Sequence, residues 1–257
     1  MYSEARIEET LDASQLEPLL PEHPYPILFA TATGSHAFGC ASEFSDYDIH
    51  GVHLLPTAQI LGLDQVQDTV ERKIAHSADE IDLATHDLKK FILLLLKGNG
   101  NVLEDLYSPL IVVTSPIHEE LKEIGKGCFT KMSAAHYLGM AYNQQRRMLS
   151  NEVKKHIHLY RCLLMGTHLM RTGEMVMDIP TLAQMYNCPQ ATKLIEYRHA
   201  GYIGLNEEEA TEYGQSITTL TEQLDQARDD SVLPEKPSRE TRQTLCDLLV
   251  RVRMEGK

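Results

Sequence analysis

The chain has 257 residues, a formal net charge of −13 and 42% hydrophobic residues, which predicts one large domain or two smaller ones. The acidic balance excludes broad electrostatic attraction to nucleic acid, so a nucleic-acid partner would need a local basic patch. Five scattered cysteines without a Cys-x-x-Cys pair favour free thiols in a reducing compartment. The N-terminus has no signal pattern and the longest aliphatic run is too short to span a bilayer, so we expect a cytoplasmic protein with no membrane contact.

The first half of the sequence predicts short strands. Residues 26–32 form a short apolar run that ends near Gly34, which is typical of a buried strand. Residues 47–54 alternate in character and predict a second strand. Residues 81–83 place one acid between two aliphatic residues and predict a brief third strand.

Helices are expected after the third strand. Thr85 is the expected N-cap of a helix that carries Asp87 in its first turn, runs through Lys97 and ends at the Gly98–Gly100 turn. Ser115 and Pro116 open a later helix. Between these two helices, the pattern predicts a helix at 101–106 and a strand at 110–114.

The character of the sequence changes near residue 130, where strand-like runs end. Long helices are expected at 133–150, 153–173, 206–229 and 238–253, with a proline-bounded turn before the last one. We therefore predict two domains, residues 1–130 and residues 131–257. Residues 1–24 are expected to be a short helical or loose lead-in.

Two carboxylates two residues apart mark the candidate site. Asp46 and Asp48 follow the small-residue turn that contains Gly34 and Ser35. Side chains two apart on a strand share one face, and carboxylates held that close repel each other unless a cation lies between them. The small residues upstream leave room for a group that approaches the backbone. This pattern predicts a metal-bound phosphate site.

The Gly-Ser turn followed by an Asp-x-Asp strand resembles the nucleotidyltransferase superfamily of DNA polymerase beta, in a bacterial and phage branch with some members associated with RNA repair. Residues 94–104 and 155–161 resemble the same branch, so the resemblance covers roughly residues 26–175. It implies an α+β fold, with a small mixed-sheet catalytic domain followed by a helical domain. It also implies transfer of a nucleoside monophosphate from an NTP to an acceptor hydroxyl, with release of pyrophosphate.

The resemblance implies Mg²⁺ or Mn²⁺ as cofactor, held by Asp46, Asp48 and a third carboxylate on a neighbouring strand. Asp82 is the preferred third acid, because Ile81 and Leu83 would point to the opposite face. Glu80 shares that face and is its main rival. Two weaker candidates are Asp79 and Asp87.

The expected phosphate ligands lie in two parts of the chain. The first part is the turn of Gly34, Ser35 and His36, where relatives often carry arginine in place of the histidine. The second is a local basic stretch between residues 142 and 173, in which we expect Lys155, Arg161 and, more weakly, His158 to hold the triphosphate.

Other interpretations stay open at this stage. Ser35 could cap a helix, and the cations could form a solvated helix face or bind an RNA end. The acceptor could be an RNA end, a protein side chain or a small hydroxylated molecule. The histidine at position 36 also allows a non-catalytic nucleotide sensor or an antitoxin-like module on the same fold.

Overall fold

The structure is a computed structural model, which describes residues 20, 23–43, 45–76, 79–147 and 151–255. Most of the predicted lead-in at residues 1–24 lies outside these ranges. None of the helices in these ranges combines the length and apolar character that crossing a bilayer requires.

Five strands form one mixed sheet with the order β3-β4-β2-β1-β5. The central pair, β2 and β4, is parallel, whereas β1 pairs antiparallel with both β2 and β5, and β3 pairs antiparallel with β4. The strands are β1 (Ile27–Thr33), β2 (Tyr47–His53), β3 (Thr69–His76), β4 (Asp79–Asp87) and β5 (Ile111–Val113).

Helices surround the sheet in the first half and make up the second half. Those of the first half are α1 (Gly34–Ala37), α2 (Thr57–Leu61), α3 (Leu88–Leu95), α4 (Gly100–Tyr107) and α5 (Pro116–Gly125), followed by a 3₁₀ turn (Lys126–Cys128). Those of the second half are α6 (Lys131–Arg147), α7 (Val153–Thr172), α8 (Ile179–Met185), α9 (Pro189–His199), α10 (Glu207–Asp230) and α11 (Arg239–Glu255).

The predicted start of the helix after the third strand is wrong. Thr85 lies inside β4, where its hydroxyl bonds His53 Nδ1 at 2.9 Å. The N-cap is Asp87, whose carboxylate accepts a hydrogen bond from the backbone N–H of Lys89, and the helix ends at Leu95. The predicted third strand at residues 81–83 is the middle of β4, which runs from Asp79 to Asp87. It is longer than predicted because it pairs along most of its length with β2 on one side and with β3 on the other. The sequence did not predict α2, β3, α8 or α9.

The sheet has two different faces. One face packs on helices, and its Phe29 and Val52 belong to the same buried cluster as residues of α3, α4 and α7. The opposite face carries a smaller cluster that includes Ile49, Ile81 and Leu83. Helix α7 is buried on nearly all sides because it packs against α6, α8, α9 and α10. The mixed sheet followed by a helical region confirms the predicted α+β class.

The last helix returns to the sheet half. Arg253 of α11 donates to both carboxylate oxygens of Asp87, one of them at 2.6 Å, and to the carbonyl of Leu55. The larger apolar cluster also runs without a break from residues before 130 to residues after it. The boundary at 130/131 stays a prediction, and extensive packing joins the two halves.

Candidate active site

Two acids face each other on the parallel strand pair. Asp48 of β2 lies directly opposite Asp82 of β4 in the register, and Thr33 of β1 lies opposite Asp48 on the other side. Residues paired in register on adjacent strands share a face of the sheet. Asp48 and Asp82 therefore lie side by side, on the face that carries Phe29 and Val52.

A third acid enters beside this pair. Asp46 is exposed and lies one residue before β2. The pKa of Asp48 is raised, first by burial and further by the negative charges of Asp82 and Asp46, while His50 and Lys154 oppose the shift. The three acids are thus close enough to interact, and a cation between them would relieve their repulsion.

The absence of a side chain at Gly34 leaves the space that the Asp48 carboxylate occupies. This glycine has a φ of +65°, and a Cβ built on it would lie 1.9 Å from Asp48 Oδ2. A residue with a side chain at this position would both strain the backbone and displace the carboxylate. The glycine of the turn and the second acid of the motif are therefore parts of one local structure.

The donor set suits a hard divalent cation, because all three side chains offer carboxylate oxygens. Asp82 Oδ1 is buried and accepts no hydrogen bond from the described residues, although Lys73 Nζ lies 3.3 Å away. Within the described ranges, no group of three or more His, Cys, Asp or Glu side chains forms a preorganised metal site. Magnesium commonly uses one or two carboxylates and takes its other ligands from water and substrate phosphates. The site fits that pattern.

The other candidate acids differ in what surrounds them. Asp87 is almost fully buried, and Arg253, Lys89 and Leu55 donate hydrogen bonds to it, so it joins α11 to the sheet. The side chains of Asp79 and Glu80 lie outside the described part of the structure.

The turn after β1 is a single helical turn, α1, that Thr33 precedes. It carries Ser35 and His36 beside the acids. The His36 ring stacks on Tyr47 with centroids 4.5 Å apart, and its Nε2 lies 3.5 Å from the Ser45 carbonyl oxygen. A cavity of about 380 Å³ opens next to His36, lined mostly by apolar residues from the loop before β5 and the loop before α8. Such a lining suits an apolar or ring-shaped group better than a triphosphate.

The predicted cations of α7 are engaged with other groups. Arg161 is buried, its Nη1 lies 2.5 Å from Glu104 Oε2, and its guanidinium stacks on Phe38. Burial and the neighbouring Arg161 lower the pKa of His158 to about 4, so this histidine is neutral at pH 7. Lys155 is paired with Glu152 at 2.6 Å. Phosphate binding by these three residues stays a prediction, and Arg161 already has a structural partner.

Two further cations lie near the site. The charge of Lys154, an exposed residue of α7, partly opposes the rise in the pKa of Asp48. Arg198 of α9 donates to Ser45 Oγ at 2.9 Å, directly before Asp46. The spacing of Lys154 from His158 and Arg161 is a helical i, i+4, i+7 pattern that could have pointed to it. No sequence signal points to Arg198, because tertiary packing alone brings it there.

A family model described as "RlaP: RNA repair pathway DNA polymerase beta family" matches residues 8–251. The chain belongs to this family. The expected resemblance is thereby confirmed, and membership of the RlaP family suggests nucleotidyltransferase activity.

Two curated relatives of this RlaP-family chain are named as uncharacterized proteins. One is MJ0002 of Methanocaldococcus jannaschii, 27% identical over 154 residues, which are 59% of this chain and 63% of the relative. The other is YcgL of Bacillus subtilis, 26% identical over 155 residues, 58% of each chain. The chain thus spans about three-fifths of the length of these relatives.

Among solved structures, a nucleotidyltransferase-like protein from Exiguobacterium sibiricum matches with a TM-score of 0.30 and 12% identity. The match covers 96% of this chain and 80% of the other.

Proposed function

We propose that this RlaP-family chain is a metal-dependent nucleotidyltransferase. It transfers a nucleoside monophosphate from an NTP to an acceptor hydroxyl and releases pyrophosphate. The observation that carries the proposal is the parallel register of β2 and β4, which sets Asp48 beside Asp82. Membership of a polymerase beta family supports the reaction class.

In this proposal all three acids bind the cation, and Asp82 has a second role as proton acceptor. Asp46 and Asp48 hold the divalent cation together with Asp82. When bound, Mg²⁺ or Mn²⁺ would neutralise charge on the phosphates and favour in-line displacement. Asp82 accepts the proton from the acceptor hydroxyl, a role for which its Oδ1 is suited because it accepts no hydrogen bond from the described residues. Lys73 has to give up its contact with Asp82 for this to occur.

The triphosphate is proposed to lie over Gly34 and Ser35. The missing side chain of Gly34 lets the phosphates approach the backbone next to Asp48. Lys154, exposed at the start of α7, supplies positive charge on the side of Asp48. Lys155 remains a second candidate, whereas Arg161 is assigned to the fold because Glu104 holds its charge.

We propose an RNA end as the acceptor. The family description refers to RNA repair, and the strongly acidic chain carries a local basic stretch on α6 and α7, whose Lys154 acts electrostatically on Asp48. Phosphates next to an RNA end would meet this positive charge and fix the register of the hydroxyl without base recognition.

The experiment measures pyrophosphate release and labelled-nucleotide transfer to RNA ends with each NTP, with Mg²⁺ or Mn²⁺ and with EDTA. Activity should need the cation. It should fall at least about a hundredfold in Asp48→Asn, because the cation that neutralises charge on the phosphates loses one of its ligands. The matched control is Asp64→Asn, which removes an exposed acid from the loop after α2. Asp48→Asn activity equal to that of the control would reject the proposal.

A non-catalytic nucleotide-binding module is the second candidate. The observation that favours it is the Lys73–Asp82 ion pair, which engages the proposed third acid. Calorimetric titration with NTP and Mg²⁺ separates the two functions. Binding without pyrophosphate release, in the presence of RNA ends, would support the binding module and contradict the transferase.

A further inference from the structure

The loop between the Gly34–Ser35 turn and Asp46 is contacted by two helices of the second half, α8 and α9. Residues 39–43 and 45, the described part of the segment between α1 and Asp46, are called here the connecting loop. At its start, the backbone N–H of Ile179 donates to the Phe38 carbonyl at 3.0 Å. A Cβ on Gly39 would lie 2.2 Å from Asp178 Oδ1. The N-terminus of α8 therefore packs tightly on the beginning of the connecting loop.

The C-terminus of α9 holds the rest of the loop. Arg198 Nη2 donates to Ser45 Oγ at 2.9 Å, and Nη1 lies 3.8 Å from Cys40 Sγ. His199 Nε2 donates to the Ala41 carbonyl at 2.8 Å. One arginine thus bridges the two ends of the connecting loop, and the next residue fixes a point between them.

The loop depends on Ser45 for its own turn as well. The Ser45 hydroxyl accepts a hydrogen bond from the backbone N–H of Ser42 at 2.8 Å, in addition to the one from Arg198. The Ser45 N–H donates to the Ser42 carbonyl at 3.0 Å. Because Asp46 is the next residue, any movement of Ser45 carries the first metal-binding acid with it.

The buried face of helix α9 fixes the backbone position of Arg198. Leu194 and Ile195 are buried and lie four and three residues before Arg198, so the arginine continues the buried face of the helix. That face packs against α7 and α8. The helical half of the chain therefore sets the position of the guanidinium independently of the sheet.

We propose that Arg198 is a positioning residue for the transfer reaction, which locks the connecting loop and so fixes Asp46 beside Asp48. This inference rests on the proposed function. Arg198 acts through Ser45 and does not itself bind the nucleotide.

The test compares Arg198→Ala with Lys193→Ala, which removes an exposed cation from the same helix. Hydrogen exchange of the full-length chain without nucleotide is followed in peptides that cover residues 39–48. Losing a hydrogen bond from a charged donor should speed exchange there by roughly ten- to a hundredfold. Peptides of the core helix α7 should not change, and neither should the control. Ser45→Ala should give a similar increase in exchange. The double variant Ser45→Ala/Arg198→Ala should exchange no faster than Ser45→Ala alone.

Steady-state kinetics provides the second measurement. Arg198→Ala should lower kcat for transfer about tenfold and leave KM for the NTP within about twofold, since only the placement of Asp46 changes. Arg198→Lys should recover part of kcat. A rise in KM at unchanged kcat would mean direct nucleotide binding and would overturn the positioning role.

The exchange measurement needs no catalysis, so it separates the two proposals. Faster loop exchange in a chain that shows no transferase activity would uphold the locking of the loop and reject the proposed function. Unchanged loop exchange would overturn the role of Arg198 even in an active enzyme. If Arg198→Ala does not fold, Arg198→Lys and His199→Ala undergo the same exchange measurement. Both should speed loop exchange, Arg198→Lys by less than about tenfold because it keeps the charge, and unchanged loop exchange in both would overturn the role of Arg198.

Discussion

The buried ion pair between Glu104 and Arg161 gives a prediction that separates stability from catalysis. The two side chains are 4% and 6% exposed, and their charged atoms lie 2.5 Å apart. Removing one partner of a buried pair leaves an uncompensated charge and costs about 3–5 kcal/mol. We therefore expect Arg161→Met to lower the free energy of unfolding by about this amount.

A double-mutant cycle sharpens this prediction. Glu104→Leu alone should cost a similar amount because it leaves the guanidinium buried without its partner. The double variant should cost less than the sum of the two single changes by at least about 2 kcal/mol, since an apolar pair can replace a buried ion pair at little cost. Urea unfolding at pH 7 measures all three variants. A cost below about 1 kcal/mol for Arg161→Met, together with a higher KM for NTP, would refute the structural role and restore phosphate binding.

Three further predictions concern other parts of the fold. Gly34→Ala should abolish transfer and lower the free energy of unfolding by about 1–2 kcal/mol, because its Cβ overlaps Asp48 at positive φ; wild-type activity would contradict the geometry of the turn. Arg253→Met should destabilise the chain by about 3–5 kcal/mol in urea unfolding because it leaves Asp87 buried without its partner, and a neutral effect would deny that α11 is anchored to the sheet. Burial and neighbouring positive charge lower the pKa of His53 from 6.5 to about 4, so the unfolded chain binds more protons between these values. Stability should therefore fall as the pH drops from about 6.5 to 4 and be insensitive to this group above pH 7; His53→Asn should lose that part of the slope, and an identical slope would show that the histidine does not contribute.

The local parts of the fold could be predicted from the sequence. The apolar run before Gly34 and the alternating run after Asp46 gave β1 and β2 nearly to the residue, because short-range patterns determine which residues are buried in a strand. The four long helices of the second half were also predicted to within a few residues at each end.

Strand pairing explains the main errors in the first half. β3 carries three consecutive charged residues, Glu71, Arg72 and Lys73, directly before Ile74, so it lacks the apolar pattern of a buried strand. It forms because β4 offers hydrogen-bonding groups along its full length. The same pairing keeps Thr85 extended, although threonine before an aliphatic run is also typical of an N-cap.

The acids of the candidate site were accessible to sequence reasoning, whereas their surroundings were not. Asp46 and Asp48 share a short motif, and Asp82 was chosen by strand periodicity. The pairing of Arg161 with Glu104 and that of Arg198 with Ser45 join residues 57 and 153 positions apart. A single sequence carries no information on which distant charges meet. It therefore could not show which basic residues of the helix bind phosphate and which form a buried ion pair.

The most direct test of the metal-bound triphosphate site is a crystal of the full chain grown with Mn²⁺ and a non-hydrolysable NTP. Anomalous scattering should place manganese within coordination distance of Asp46 and Asp48, about 2.0–2.3 Å, with the triphosphate over Gly34 and Ser35. Manganese and nucleotide bound elsewhere, with both carboxylates in contact only with protein or water, would contradict the account.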